Sequence, residues 1–284
     1  MSQSASIEVR RLKERQWRRA RILNAWVDGL AIEDALDLLD EGGTFFTINP
    51  EHLYQLQRNA EFAAAYANAT YVSCDSVYVY WALKLLRRDV RHRASGSDLV
   101  PAYWGRHSGN AAVRIFLLGA KPGIAERAMD RINRACGRKI VVGAHGPSFD
   151  FLDDEEETTE AINMVNASGA TCLIVGLGAP KQEIWINRNR ARMPGVKVFL
   201  GVGATIDYEA GAVARAPKWM RHNGLEWVYR VLSEPRRYLR RYARNTEFLW
   251  LSLLDGLGFY RPPSFASVVG DADVPARSKT IDGR

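Results

Sequence analysis

The chain has 284 residues, of which 47% are hydrophobic, and a formal net charge of +7. A chain of this length can bury one substantial core, and its excess of Lys and Arg favours an anionic partner: a nucleotide, a nucleic acid or a phospholipid surface. The three cysteines lack the spacing of a zinc site or a disulfide framework, which predicts a cytoplasmic protein. No stretch reaches the ~18 to 20 apolar residues of a membrane-spanning helix, and the basic N-terminus lacks the apolar run of a secretion signal.

The first part of the chain is strongly basic. Residues 7–21 carry seven Arg or Lys against two Glu, which predicts a basic N-terminal arm over residues 1–21. A helical pattern follows, with apolar residues at Ile32, Ala35, Leu36 and Leu39, and Gly42-Gly43 closes it.

From there, short apolar strands alternate with helical patterns. The strands read TFFTIN, TYVSC, VRIFLLG, KIVVGAHG, TCLIVGLG and VKVFLGVG. They are apolar almost throughout, which is typical of a parallel sheet buried on both faces. The pattern predicts an α/β fold over residues 22–211, with a Rossmann-like parallel sheet and helices on both faces.

The composition changes after residue 211. Residues 213–244 hold nine Arg or Lys interleaved with Trp and Tyr, which predicts a basic C-terminal helical appendage over residues 212–245. Such a surface suits either an anionic membrane or a nucleic acid, and the spacing alone does not separate the two. Over residues 246–284 we expect an apolar segment, too short to span a bilayer, and then a disordered tail.

Three strand ends are rich in glycine: LLGAKPG, VGLGAPKQE and LGVGATIDY. Beyond the carboxyl ends of parallel strands, glycines let the backbone approach a phosphate. Neither the dinucleotide fingerprint nor the P-loop motif is present, so a redox enzyme and an ATPase are not supported. The alternative is that the glycines only close tight turns. The candidate nucleotide-binding residues are Gly119, Gly176, Gly178 and Gly203, with Gln182 and Asp207 just beyond them.

Polar residues end two strands of the first half. Thr47 and Asn49 end one and Asp75 ends another, so they meet at one edge of the sheet if these strands are parallel neighbours. Asp75 has the chemistry of a general base, although it could equally cap the helix that begins near Ser76, and Asp98 has the same ambiguity. Arg93 is a candidate for contact with a diphosphate or an acidic sugar.

No His, Cys, Asp or Glu spacing in the sequence indicates a metal site. We therefore expect a reaction that requires no metal and no other cofactor.

A composite of motifs resembles one known family, the WecG/TagA/CpsF glycosyltransferases, or glycosyltransferase family 26, from about Ile22 to Asn245. The motifs are TINPEHL, CDSVYVYWALKLL, SGSDLVP, FLLGAKPGIAE, VGLGAPKQEIWI, GVGATIDYEAG, RAPKWM and GLEWVYRVLSEPRRYLRRY.

The resemblance implies an inverting, metal-independent transferase of bacterial surface or exopolysaccharide synthesis. It implies that a sugar, of the N-acetylmannosamine type or glucose, moves from a UDP-sugar donor to an undecaprenyl-diphosphate-linked acceptor. The enzyme would lie on the cytoplasmic face of the inner membrane, against its anionic surface. No nucleic acid is expected as a partner, and a homo-oligomer is left open.

The resemblance also assigns roles to residues. Asp75 matches the catalytic aspartate, with Thr47, Asn49 and Arg93 in the active site. Gln182 and Asp207 match residues near the nucleotide sugar. The residues that match arginines of an appendage thought to cover the active site at the membrane are Arg230, Arg237 and Arg240.

One departure stands out, because the family usually has Asp-Gly where this chain has Asp75-Ser76. The chain cannot use the conformational freedom of glycine there. This departure leaves a catalytically idle paralogue as one alternative to the transferase. The basic surface leaves a second, a nucleic-acid-binding protein.

Overall fold

A computed structural model describes residues 18–217, 219–220, 225–233 and 235–265, without the side chains of residues 227, 230, 233 and 236–244. Eight strands form one sheet in the order β1-β2-β4-β3-β8-β7-β5-β6. Only β1 and β2 pair antiparallel, and the other neighbours are parallel. The strands are β1 Arg19–Ile22, β2 Ala25–Asp28, β3 Gly43–Ile48, β4 Tyr71–Cys74, β5 Ile115–Gly119, β6 Val141–His145, β7 Cys172–Gly176 and β8 Val198–Gly201.

Helices cover both faces of this sheet. They are α1 Ile32–Glu41, α2 Pro50–Leu56, α3 Ala60–Ala67, α4 Val77–Leu85, α5 Gly96–Arg106, α6 Ile124–Cys136, α7 Glu155–Ser168, α8 Lys181–Asn189, α9 Thr205–Glu209, α10 Glu226–Ser233 and α11 Pro235–Gly256, with a 3-10 turn at Arg190–Arg192.

Successive strand residues point to opposite faces of the sheet, and each face has its own buried cluster. Phe46 and Leu118 pack with α2, α3, α7 and α8 on one face. Phe45 and Leu117 pack with α1, α5 and α6 on the other. Because both faces are buried, the strands need no polar alternation. The predicted α/β fold is confirmed.

The predicted N-terminal arm, residues 1–21, extends too far, because its last residues belong to the sheet. Residues 19–22 form β1, which pairs with β2 in a hairpin. The guanidinium group of Arg19 donates to both carboxylate oxygens of the buried Asp28, at 2.8 and 3.1 Å. A basic residue at this position therefore stabilises the sheet edge. The rest of the arm, residues 1–17, lies outside the described residues.

The predicted apolar segment does not begin as a separate element, because residues 246–256 are the second half of α11. Phe248 is 2% exposed and belongs to a core cluster. The carboxylate of Asp255 accepts a hydrogen bond from the N–H of Leu23, at 2.9 Å, and pairs with Arg88. The second half of α11 is therefore docked on the main domain. The tail from residue 266 onward lies outside the described residues.

In the part of the chain that the structure describes, no helix has the combination of length and apolar character that crossing a membrane requires.

Candidate active site

The carboxyl ends of β4, β3, β8, β7 and β5 all lie at the same edge of the sheet, since these strands are parallel. Ile48 of β3 is paired with Cys74 of β4. The N–H of Asp75 donates to the carbonyl oxygen of Ile48, at 3.0 Å, just beyond that pair. The two strands are thus parallel neighbours, and Thr47, Asn49 and Asp75 lie together at this edge. Their roles in catalysis stay predictions.

The helix after Asp75 is capped by Ser76. The hydroxyl oxygen of Ser76 accepts a hydrogen bond from the N–H of Tyr78, at 3.2 Å, and Ser76 occupies the N-cap position of α4. The alternative interpretation, that Asp75 is the cap, is wrong. The backbone of Ser76 is extended, with φ −91° and ψ 135°, so this position does not require glycine. The departure from Asp-Gly is therefore accommodated without strain.

Arg93 contacts the main chain of Asp75. Its Nη1 donates to the main-chain carbonyl oxygen of Asp75, at 2.7 Å. Burial raises the pKa of the neighbouring Cys74 thiol, the charge of Asp75 raises it further, and Arg93 opposes both. The charges of Asp75 and Arg93 therefore both act on the buried sulfur of Cys74 at the end of β4. Because its pKa is raised, Cys74 remains a neutral thiol.

Thr47 and Asn49 are both engaged in the local structure. The Tyr66 hydroxyl donates to the carbonyl oxygen of Thr47, at 2.6 Å, and Nδ1 of His52 lies 2.7 Å from the same oxygen. The side-chain oxygen of Asn49 accepts from the N–H groups of Glu51 and His52, at 3.0 and 3.2 Å, and so caps α2. Sequence reasoning missed this cap, although Asn followed by Pro is a recognised helix start.

The four candidate glycines at these strand ends and turns are of two kinds. An added Cβ on Gly119 would lie 2.5 Å from the carbonyl carbon of Gly176, and one on Gly176 would lie 2.8 Å from the carbonyl oxygen of Gly203. These two glycines let neighbouring strand ends approach one another. Gly178 and Gly203 have φ of +78° and +58°, and a Cβ on either would meet no atom within 4 Å. Open space therefore lies over these last two turns.

Gln182 is a buried residue that forms hydrogen bonds with both of these turns. Its Oε1 accepts hydrogen bonds from the N–H groups of Gly178 and Gly203, at 3.3 and 3.0 Å, and the residue is 1% exposed. We predicted that Gln182 lies near the nucleotide. The structure gives it a buried position in which its oxygen fixes the backbone of both loops.

The next residue, Glu183, was not singled out from the sequence. It is fully buried, its Oε1 accepts from Nε2 of Gln182 at 2.8 Å, and its Oε2 has no hydrogen-bond partner among the described residues. Burial raises the pKa of Glu183 to about 7, and the hydrogen bond from Gln182 opposes the rise. A charged residue inside a glycine-loop motif gave no sign that it would be buried.

Asp207 is half-buried on α9, which begins just after the Gly203 turn. Its main-chain oxygen accepts from the N–H of Ala212, at 2.9 Å, where the chain leaves α9. A role for Asp207 in sugar binding stays a prediction.

The chain after α9 contacts the N-terminus of α5 through Arg215. Arg215 donates to the hydroxyl of Ser97 at 2.6 Å and to the carboxylate of Asp98 at 2.8 Å. The N-cap of α5 is Ser95, whose hydroxyl oxygen accepts from the N–H of Asp98 at 3.2 Å. The interpretation of Asp98 as the N-cap residue is therefore wrong. Its carboxylate accepts a hydrogen bond from the Ser95 hydroxyl, at 2.6 Å, as well as from Arg215, and so joins the start of α5 to the chain after α9.

The appendage arginines Arg230, Arg237 and Arg240 have side chains outside the described residues, so their predicted contact with a lipid diphosphate stays a prediction. In the described ranges, no three His, Cys, Asp or Glu side chains are grouped so that they could hold a metal ion. The expectation of a metal-independent reaction also stays a prediction.

The model of the Glycosyl transferase WecG/TagA/CpsF family matches residues 20–262. The match begins at the second residue of β1 and includes all of α11, and so extends further at both ends than the motifs alone indicated.

Proposed function

Because the chain belongs to the WecG/TagA/CpsF family of glycosyl transferases, we propose that it moves a sugar from a UDP-sugar to an undecaprenyl-diphosphate-linked acceptor in the synthesis of a bacterial surface polysaccharide or exopolysaccharide. The observation that carries the proposal is the common sheet edge of Asp75 and the two open glycine turns. A carboxylate and a cleft bordered by glycine backbone are the two parts that such a transfer needs.

In the proposed reaction, Asp75 takes the proton of the acceptor hydroxyl while the hydroxyl oxygen attacks C1 of the donor sugar. The bond from C1 to the UDP oxygen breaks, and UDP leaves with the electron pair. Attack opposite the leaving group inverts the configuration at C1. Arg93, held 2.7 Å from the main chain of Asp75, supplies positive charge for the negative charge that develops on the diphosphate.

The helix starts beside the glycine turns support a site for the diphosphate. Helices α6 and α8 begin just after the turns that follow β5 and β7, and their N-cap residues are Gly123 and Pro180. Neither residue has a side chain that can accept a hydrogen bond. The first N–H groups of a helix lack partners within it and attract anions.

Exposed apolar residues on α11 support a peripheral contact with the membrane. Leu249 and Leu253 of α11 are 58% and 51% exposed, beside Trp250 at 60%, and Leu257, just past the end of the helix, continues the four-residue spacing at 60%. Gly256 of α11 abuts Leu86, just beyond α4, where Trp81 and Leu85 are also exposed. An apolar helix face next to basic residues suits a membrane interface, here the cytoplasmic face of the inner membrane.

The alternatives are less well supported. Membership of a glycosyl transferase family favours transfer chemistry over nucleic-acid binding. The backbone of Ser76 lies in an ordinary extended region, which removes the main reason for suspecting an idle paralogue.

Donor and acceptor are tested together with purified full-length protein. UDP release is followed with the UDP derivatives of N-acetylmannosamine, its uronate, glucose and N-acetylglucosamine, with and without a polyprenyl-diphosphate-linked sugar. We expect release with one of the first three donors, and only when the acceptor is present. The absence of UDP release with every donor, or UDP release that does not depend on the acceptor, would contradict the proposal. Undiminished release in EDTA is expected for a metal-independent reaction, and a rate restored only by magnesium or manganese would contradict that part.

A further inference from the structure

Glu183 is a buried carboxyl group whose position calls for an explanation. It is 0% exposed, and its Oε2 has no hydrogen-bond partner in the described part of the chain. Burying a carboxyl group with one oxygen unpaired disfavours folding. An uncharged side chain of the same size would avoid this cost, so stability does not account for a glutamate here.

The hydrogen bond between Gln182 and Glu183 identifies the residue on which Glu183 acts. Nε2 of Gln182 donates to Oε1 of Glu183, at 2.8 Å. A side-chain amide has one donating and one accepting end. With its nitrogen directed to Glu183, Gln182 presents its oxygen to the N–H groups of Gly178 and Gly203. Glu183 therefore favours the amide orientation that ties the two turns together.

The surroundings leave Gln182 little room to move. An added Cβ on Gly201 would lie 3.4 Å from Nε2 of Gln182 and 3.0 Å from the ring of Phe46. Glycine at this position in β8 makes room for the amide. Gln182, paired with Glu183, thus forms a buried contact between the end of β8 and the turn after β7.

We infer that Glu183 is a positioning residue: by orienting Gln182 it holds the Gly178 and Gly203 turns at a fixed separation and shapes the cleft for the diphosphate of the nucleotide. The ligand in this statement rests on the proposed function, whereas the positioning of the two turns does not. Because Glu183 is buried, it acts through Gln182 and does not touch the substrate.

Two variants of Glu183 separate its hydrogen-bonding role from its bulk. Glu183→Met keeps a similar size and removes the acceptor, while Glu183→Gln keeps a neutral acceptor. The full-length chain labelled with 15N-glycine reports on the Gly178 and Gly203 amides directly. Gly137 and Gly169, which end α6 and α7, are internal controls because those helices lead away from the site.

In Glu183→Met we expect the Gly178 and Gly203 signals to shift and their amide exchange to accelerate roughly tenfold, the scale for loss of one hydrogen bond. The control signals should stay in place, and Glu183→Gln should resemble the wild type. Unchanged Gly178 and Gly203 signals in Glu183→Met, or equal changes at all four glycines, would overturn the inference.

Binding and kinetics test the consequence for the ligand. Calorimetry with UDP should give a Kd roughly tenfold higher for Glu183→Met, and turnover should show a raised donor KM with kcat nearly unchanged. Adding Glu183→Met to Gln182→Met should produce no further loss, whereas additive losses would show that Glu183 does not act through Gln182. If wild-type protein failed to bind UDP, the proposed function would fall, and the glycine signals would still decide whether Glu183 positions the turns.

Discussion

Gly119 and Gly176 end neighbouring strands so close together that a Cβ on Gly119 would lie 2.5 Å from the carbonyl carbon of Gly176. The N–H of Ala120 donates to the carbonyl oxygen of Gly176, at 3.1 Å, and fixes this approach. Packing between strand ends thus explains both glycines without a ligand.

Alanine at Gly119 should therefore be far more damaging to stability than alanine at Gly178. Both positions have positive φ, +131° and +78°, so alanine at either carries a backbone penalty of at least about 1 kcal/mol. Only Gly119 adds a clash with main-chain atoms, so Gly119→Ala should lose several times as much unfolding free energy, or fail to fold. Urea unfolding of the two variants checks this, and equal losses would contradict the packing role.

The buried Glu183 should make stability depend on pH. Its pKa is raised from 4.5 to about 7, so the folded state holds a proton that the unfolded state releases. Its contribution to stability is fully present below pH 4.5 and falls by about 3 kcal/mol as pH rises past 7. Glu183→Gln removes that loss, so its unfolding free energy should gain about 3 kcal/mol relative to the wild type between pH 4.5 and 8.

Urea unfolding across that range measures the difference between the two proteins. The electrostatic neighbours that bear on this region are Tyr66 and Asp75, since the charges of Glu183 and Asp75 both act on the buried Tyr66. Tyr66 and Asp75 are present in both the wild type and Glu183→Gln. The difference between the two unfolding free energies therefore reports the titration of Glu183. Parallel curves for the two proteins would show that Glu183 does not titrate in this window.

Asp255 should anchor α11 more strongly than the exposed ion pair on the same helix. Partial burial favours the protonated form, but hydrogen bonds from Arg88 and from the N–H of Leu23 outweigh it and lower the pKa of Asp255. Asp255→Ala should cost about 2 kcal/mol of unfolding free energy at pH 7, because it leaves those donors unpaired. The contribution should vanish as pH falls below 3.8, the ordinary pKa of the group.

Glu247→Ala is the matched control for Asp255→Ala. Glu247 pairs with Arg58 at 2.7 Å, but both side chains are more than a third exposed, so the loss should be below about 1 kcal/mol. Denaturant unfolding at pH 7 compares the two variants. A loss in Glu247→Ala as large as that in Asp255→Ala would contradict this account of the docking.

The apolar face of α11 should contribute to membrane binding. Replacing Leu249 and Leu253 together with Ser should reduce sedimentation with anionic vesicles at least tenfold, because ~2 kcal/mol or more of apolar contact is lost. Met164→Ser, on an exposed part of α7, is the control. Undiminished sedimentation of the double variant would place the membrane contact elsewhere. Deleting the chain from Ala212 is a poorer test, because it would also remove Phe248 from the core.

The sequence predicted the sheet and the edge where the site lies, because buried parallel strands and glycine-rich strand ends are local patterns. It did not predict β1, where the run of arginines concealed a strand whose Arg19 pairs with Asp28. The sequence indicated Gln182 but not its pairing with Glu183, since the hydrogen bonds of these two residues depend on how two loops approach in space. The cap at Ser76 replaced the one considered for Asp75, and a preference for Ser or Asp at a helix start cannot choose between adjacent residues.

The central claim, that Asp75 is the general base of an acceptor-dependent sugar transfer, is tested most directly by measuring UDP release with Asp75→Asn beside the wild type and Ser76→Ala. Asp75→Asn should lose at least a hundredfold in kcat with its unfolding transition intact, the scale expected for removal of a general base. Ser76→Ala should lose about 1 kcal/mol of stability from the missing cap and keep most of its turnover. Near-normal turnover by a folded Asp75→Asn protein would contradict the account.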